Sequence, residues 1–308
     1  MAANDSVTCD ITGGTDGAAI TRSNISAAAL AGSQRGLYAL DKTDDLLQIV
    51  IPDFETDATV SGDLIDYADT RKDRFAIVSV PEGFSIQEAK NYKTVTLNKS
   101  SNRAAIYYPH VKIIDPVTEK AVNVPPGGHV AGIYARTDSD RNVAKAPAGV
   151  TDGAIRFAVG LERKLTFPEC GSLNLVNINC LLDNDTVGRV VWGARTMESV
   201  GEFPYIQMRR LFMFVEKSVF NSTQIHVFES NTPSLRARIK LQLESFLLGL
   251  FNTNHFSGSS PSDGFYVVDK TSTDDVTKGI VRFEVGLAPT RPAEFISFEF
   301  KSKTLEAA

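Results

Sequence analysis

Phe75-Ala76-Ile77-Val78-Ser79-Val80, stopped by Pro81-Glu82-Gly83, is the stretch that decides the fold. A strand with one wet face alternates apolar and polar residues. This run is almost continuously apolar, as strands covered on both faces of a parallel sheet are. Upstream, Leu46-Leu47-Gln48-Ile49-Val50-Ile51 reads the same way and stops at Pro52-Asp53; downstream, Ala104-Ala105-Ile106-Tyr107-Tyr108 stops at Pro109. Two helix-like stretches, 60–71 and 85–93, lie between these runs. In the first, Leu64, Tyr67 and Ala68 share a face at i, i+3, i+4 spacing. Strands alternating with helices of this length imply right-handed βαβ crossovers, so this half of the chain is expected to be α/β with a parallel sheet.

Further along, Val124-Pro125-Pro126-Gly127-Gly128 predicts a rigid turn into a helix over 129–135, since proline suits a helix's first turn. A polar surface loop is expected over 137–151, of a length often used for contacts. The last hundred residues differ in period. Met208, Leu211, Phe212, Val215 and Val219 mark one amphipathic helix over 205–220, and Leu235, Ile239, Leu243, Phe246, Leu247 and Leu250 mark a second over 233–251. Arg236, Arg238 and Lys240 fall in the first turns of the second helix, either as a solvated face or as a dock for an acidic partner. Period-two alternation predicts two closing strands, 281–285 and 296–300, the latter placing Ile296, Phe298 and Phe300 on one face. An alternating strand at a chain end suits addition to a sheet edge on another molecule. This half reads as α+β, with the boundary near Ser199-Val200-Gly201, and 257–264 reads as a flexible loop of turn-forming residues.

Composition is that of an ordinary globular chain, 43% hydrophobic and 22% charged over 308 residues. Such a length buries roughly three-quarters of its unfolded surface without a metal or disulfide. A net charge of −5 argues against a duplex-binding footprint. No apolar run is long enough to span a bilayer, and no signal peptide opens the chain. Cys9, Cys170 and Cys180 lack metal or redox spacing and read as reduced thiols. No G-x-S-x-G elbow is present to recruit His110, His129, His226 or His255 into a triad, and Gly127 to Gly132 lacks the Lys-Ser/Thr of a phosphate loop. The acidic run 41–45 reads as a solvated helix start. Enzyme chemistry, a cofactor and a metal are therefore not expected.

Several segments, in one order, resemble the tail sheath proteins of contractile bacteriophages. They include Gly13-Gly14-Thr15-Asp16-Gly17, Asp73-Arg74-Phe75-Ala76-Ile77, Tyr107-Tyr108-Pro109, and the block from Val124 through Gly132 to Asp138. They continue with Lys145-Ala146-Pro147-Ala148, Leu173-Asn174 with Ile178-Asn179, Val191-Trp192-Gly193-Ala194-Arg195-Thr196 and Tyr205-Ile206-Gln207-Met208-Arg209-Arg210-Leu211. Ala288-Pro289 and Arg291-Pro292-Ala293-Glu294-Phe295 complete the match, which is collinear from Gly13 to Phe300.

The resemblance implies a subtilisin-like α/β domain over 13–199 and a smaller α+β C-terminal sheath domain over 200–304; "subtilisin-like" here describes the fold alone. It implies a structural subunit of stacked hexameric rings around a tail tube, contracting to drive the tube through the host envelope during genome ejection. The implied partners are other copies of the chain, the tube protein, and baseplate and tail terminator proteins, with no nucleic acid and no membrane insertion. The implied location is the virion tail, assembled in the host bacterial cytoplasm. Arms near both termini are implied to add strands to neighbours, which makes Ile296, Phe298 and Phe300 candidates for that role. Arg236, Arg238 and Lys240 are the candidate tube contact, and Arg141 and Lys145 the candidate loop contact. Two departures stand out. Only residues 1–12 precede the Gly-Gly segment, where the family usually carries an arm or a further domain, so the chain reads as lacking that arm, with 305–308 as a cloning remnant. Ala144 stands where the family commonly has tryptophan. The sheath of a secretion system or a phage-tail-like bacteriocin would give nearly the same sequence, and a hydrolase on the α/β domain is the remote alternative.

Overall fold

The computed structural model describes residues 17–292, which form two compact units, 17–43 and 44–292. The small unit holds a single-turn helix, α1 (Arg22–Ile25), and two 3-10 stretches, Ala28–Ser33 and Gly36–Lys42. The acidic run at 41–45, read as a helix start, instead closes the second of these and leads into a strand. Aspartates here terminate a turn because no apolar stripe follows to pack a helix.

In the large unit a five-stranded sheet runs in the order β1 (Leu47–Ile49), β2 (Arg74–Ser79), β3 (Ala104–Tyr108), β7 (Ile178–Asn184), β8 (Gly188–Trp192). All its pairings are parallel except β7 with β8. Every residue of β2 and β3 is buried, as their unbroken apolar runs require. The crossover helix α2 (Ala58–Arg71) packs on β2. Its N-cap is Asp57, whose carboxylate accepts from the amides of Thr59 (2.8 Å) and Val60 (2.9 Å). Helix α3 (Ile86–Asn91) opens with a Ser85–Glu88 capping box and runs on as a π-helical stretch, Tyr92–Leu97.

Two features escaped the sequence. A small antiparallel sheet, β5 (Ala121–Val124), β4 (Val111–Ile114) and β6 (Gly160–Leu161), follows β3, and β7–β8 form a hairpin. The β4–β5 pair leaves Ile114 and Val122 exposed, so the alternation that normally betrays a half-buried strand is missing. Helix α4 (Gly127–Asp140) starts two residues before the predicted 129 and ends five after 135. The polar residues Thr137 to Asp140 belong to its last turn, and the surface loop begins only at Arg141. Single-turn helix α5 (Gly149–Asp152) and helix α6 (Phe167–Asn174) precede the hairpin.

Helices α7 (Ile206–Thr223) and α8 (Pro233–Asn252) fall close to their predicted spans. Thr232 caps α8, with Pro233 in its first turn, and Leu235, Ile239, Leu243 and Leu247 bury one face. After single-turn helix α9 (Pro261–Gly264), strand β9 (Phe265–Asp269) pairs antiparallel with β10 (Phe283–Leu287) across the short α10 (Thr273–Thr277). The strand expected at 281–285 is thus β10, two residues later; Phe283 and Val285 both pack toward the core, as their alternation requires. The strand expected at 296–300, with Ile296, Phe298 and Phe300, lies outside the described residues.

One face of the main sheet packs Phe75, Ile77, Ala105, Tyr107, Leu181 and Val191 against α4 and α7. A second core gathers Leu211 and Val215 of α7, the buried face of α8, Phe256, Val267 and Ala144. Helix α7 serves both, with Ile206 and Met213 in the first core and Leu211 and Val215 in the second.

Candidate functional site

Helix α4 links a buried carboxylate at its start to a buried ion pair near its end. Its start is fixed by Glu55, a buried carboxylate that accepts from the Gly127 amide (2.9 Å) and from Ser79 Oγ (2.5 Å) at the end of β2. Burial raises the Glu55 pKa, and the two donors pull it partly back. At its other end α4 delivers Asp138 to Arg210 of α7. Arg210 is buried, forms a bidentate ion pair with Asp138 and lies 4.7 Å over the ring of Tyr134. Gln48 Nε2 donates to the same carboxylate (3.4 Å), and the hydroxyls of Tyr134 and Tyr107 lie 2.6 Å apart beneath it. Burial drives both phenols well above their usual pKa.

Beside this pair lies a groove of about 340 Å³, walled by Leu46, Leu47, Phe75, Val143, Met213 and Phe214. Arg141, Arg210, Asp138 and His255 supply its charged and polar lining. Burial lowers the His255 pKa, so this imidazole is neutral at pH 7. Its Nδ1 lies 2.9 Å from Thr253 Oγ1.

The structure brings the two loop candidates together. Arg141 (3.4 Å) and Lys145 (3.6 Å) both pair with Asp152, which is buried while both cations remain exposed. Between them Ala144 turns inward to the second core. The three basic residues of α8 are not one stripe. Arg236 is mostly buried and engaged with Asp269 (3.2 Å) and Asn231 (2.8 Å). Arg238, two residues on and so about 200° around the helix, is exposed and paired with Glu229. Lys240 reaches Glu244 at 3.6 Å. Each cation already has an acidic neighbour within the chain.

Catalytic arrangements do not emerge among the described residues. His110 Nε2 lies 3.0 Å from the Val80 carbonyl, and His226 sits between Gln242 (2.8 Å) and Glu229 (3.4 Å). Among the described residues no group of three or more metal-ligating side chains forms, and no helix is long and apolar enough to cross a membrane. Cys170 and Cys180 are buried free thiols in mutual contact, and Cys180 Sγ lies 3.7 Å from the Cys170 carbonyl. Sequence reasoning missed the groove, because its walls come from β1, β2, α4, α7 and the α8–α9 connection. It also undervalued Ile225-His226-Val227-Phe228, weighing only the imidazole of that apolar run.

The profile of the phage tail sheath protein central domain matches residues 20–197, more than half of the chain. The tail sheath protein of Enterobacteria phage T4 is 26% identical over 211 residues, covering 63% of this chain and 32% of that protein. The tail sheath protein of Burkholderia phage BcepMu is 27% identical over 56% of this chain. The chain thus spans only about a third of the length of the curated relatives it matches. Among solved structures, a chain of the anti-feeding prophage baseplate superposes with a TM-score of 0.75 at 27% identity, covering 86% of this chain and 71% of that one. A chain from the contracted sheath complex of the PVC extracellular contractile injection system gives 0.73 at 28%, covering 86% and 73%. These relatives are structural sheath proteins rather than enzymes. The collinear motifs, the mixed sheet with its parallel strands and these matches together place the chain in the phage tail sheath protein family.

Proposed function

We propose that this chain polymerises as stacked hexameric rings around a tail tube and shortens against it, driving the tube through a host envelope during genome ejection. The observation that carries this reading is the superposition of 86% of the chain on a contracted sheath complex. A sheath subunit must offer contacts on several faces, and the cations exposed on α8 and on the 141–148 loop are of that kind. Contraction is then a switch between two sets of subunit contacts, each subunit favouring the contracted set by a few kcal/mol. The division into a subtilisin-like domain (13–199) and a C-terminal domain (200–304) belongs to this reading, as does assembly in the host cytoplasm.

The β9–β10 hairpin pairs with no further strand among the described residues. An alternating strand such as 296–300 of a neighbour would extend it. The partners proposed are other copies, the tube protein, the baseplate and a tail terminator, with Arg238 and Lys240 facing an acidic tube surface, backed by Arg236. A second reading, the sheath of a contractile injection system rather than of a phage, is favoured by identities of 27–28% to the anti-feeding prophage and PVC chains.

The test is negative-stain electron microscopy of the chain with and without purified tube protein, across protein concentration and salt. Hollow tubes or sheathed tubes are the expected result. Monomers in every condition, tube present, would overturn the reading.

A further inference from the structure

The turn joining α7 to α8 presents apolar side chains to solvent and holds them in one shape. Phe220, Ile225, Val227 and Phe228 are all exposed, Phe228 completely. Exposed apolar groups gathered in one place mark interaction sites. Phe228 also has φ of 73°, the left-handed region that a bulky residue seldom adopts. The surroundings enforce that geometry. His226 Nε2 lies 2.8 Å from Gln242 Oε1 on α8, and Gln242 Nε2 donates to the Ser222 carbonyl at 2.9 Å. The Glu229 amide donates to the His226 carbonyl at 3.2 Å, while the Glu229 carboxylate forms an exposed, exchangeable pair with Arg238. Strained residues that their surroundings over-determine cluster at contact and switch regions. Here the strain turns an aromatic ring into water, away from the packed cores of the described residues.

We propose that this turn is one half of a contact between two copies of the chain: Phe228 of one copy enters the groove beside Arg210 on the next, with Glu229 meeting Arg141. The proposal rests on the self-assembly reading above. The groove's 340 Å³ is ample for one aromatic ring, since a cavity of about 150 Å³ admits benzene. Its walls, Leu46, Phe75, Val143, Met213 and Phe214, match the chemistry of the turn. Charge selects it over a second apolar groove, lined by Leu241, Leu248, Phe265 and Tyr266: the first carries two guanidiniums, Arg141 and Arg210, against the one carboxylate of Asp138, whereas the lining of the second carries Glu244 and no cation. Arg141 is exposed, and its existing pair with Asp152 is of the weak, exchangeable kind. Turn and groove are different surfaces of one chain, so the contact is head-to-tail. Such a contact propagates into a ring or helix instead of closing as a dimer.

Two variants of this chain carrying Cys9→Ser test the contact with both Phe228 and Arg141 kept, one with Val227→Cys beside the ring and the other with Val143→Cys in the groove, mixed and treated with a short bismaleimide. A 227–143 adduct between different chains is expected, at least tenfold above a Lys278→Cys control placed on an exposed surface. Phe228→Ala on the donor chain or Arg141→Glu on the acceptor chain should cut its yield several-fold. Should Val143→Cys misfold, Asn142→Cys reports the same contact from the groove rim. A yield no greater than the control, or one that Phe228→Ala leaves unchanged, overturns the proposal. Microscopy of the unsubstituted chain separates the two readings. Tubes without the adduct sink this contact and leave the sheath reading standing; the adduct without tubes does the reverse.

Discussion

The carboxylate of Glu55 occupies the space where a side chain on Gly127 would begin. Its Oε2 accepts the Gly127 amide at 2.9 Å, and a Cβ at residue 127 would overlap that oxygen and crowd Val50. Glu55 thereby satisfies one of the unpaired amides at the start of α4 while its charge lies against the positive end of the helix. The Pro125-Pro126-Gly127-Gly128 turn and the residue that caps it are separated by some seventy positions in the chain, yet act as one joint.

Gly127→Ala should therefore destabilise the fold by overpacking against a group that cannot retreat, by about 1–3 kcal/mol. Gly128→Ala is the control, since nothing lies within 4 Å of its Cβ position. Urea denaturation should separate the two. Equal midpoints would show that Glu55 moves aside freely.

Glu55 also predicts a pH dependence. Burial raises its folded pKa above the usual carboxylate range, so the folded state binds this proton more tightly than the unfolded state does. Its contribution is complete below the unfolded pKa and is lost as pH rises through the folded one. Glu55→Gln removes that dependence. The stability of the variant relative to the parent should be higher at pH 7 than at pH 4, measured by urea titration at both. A difference independent of pH would place the Glu55 pKa at its ordinary value.

The Asp138–Arg210 pair is unequally buried, with side chains 30% and 4% exposed. Removing the carboxylate leaves a buried guanidinium without its counter-ion, whereas removing the guanidinium leaves a carboxylate that water reaches. Asp138→Ala should cost about 3 kcal/mol, the lower end for breaking a buried pair, and Arg210→Met distinctly less. The opposite ranking in chemical denaturation would mean that the stacking of Arg210 on Tyr134 outweighs its charge.

For the tube contact, the structure narrows the informative substitutions. Arg236 is packed against Asp269 and Asn231, so reversing it would confuse folding with binding. Arg238→Glu with Lys240→Glu alters two exposed cations whose pairs are worth at most about 1 kcal/mol each. That variant should fold normally and co-sediment poorly with tube protein. Undiminished co-sedimentation would remove α8 from the tube contact.

Strands β1, β2 and β3 of the main sheet were legible because a strand buried on both faces needs an unbroken apolar run, which β2 and β3 display, whereas the β7–β8 hairpin was not read. Helices α7 and α8 were legible for the complementary reason, a single apolar face at the helical period. The β4–β5 pair was not, because Ile114 and Val122 face solvent and leave the alternation without contrast. The basic residues of α8 were visible by type but not by role. The partners of Arg236, Asp269 and Asn231, come from strand β9 and the turn before α8.

By itself, the sequence determined the alternation of strands and helices and the family, since both depend on local periodicity and on motifs kept in order along the chain. Tertiary structure alone decided where the groove lies, that Arg141 and Lys145 share Asp152, that Glu55 caps α4, and that Phe228 stands in solvent. The groove and the Glu55 cap join residues far apart in sequence, and even the nearer Arg141, Lys145 and Asp152 are brought together only by the path of the loop. They arise only when packing brings separate elements to one place, where a carboxylate must find donors and a ring is either covered or left in solvent.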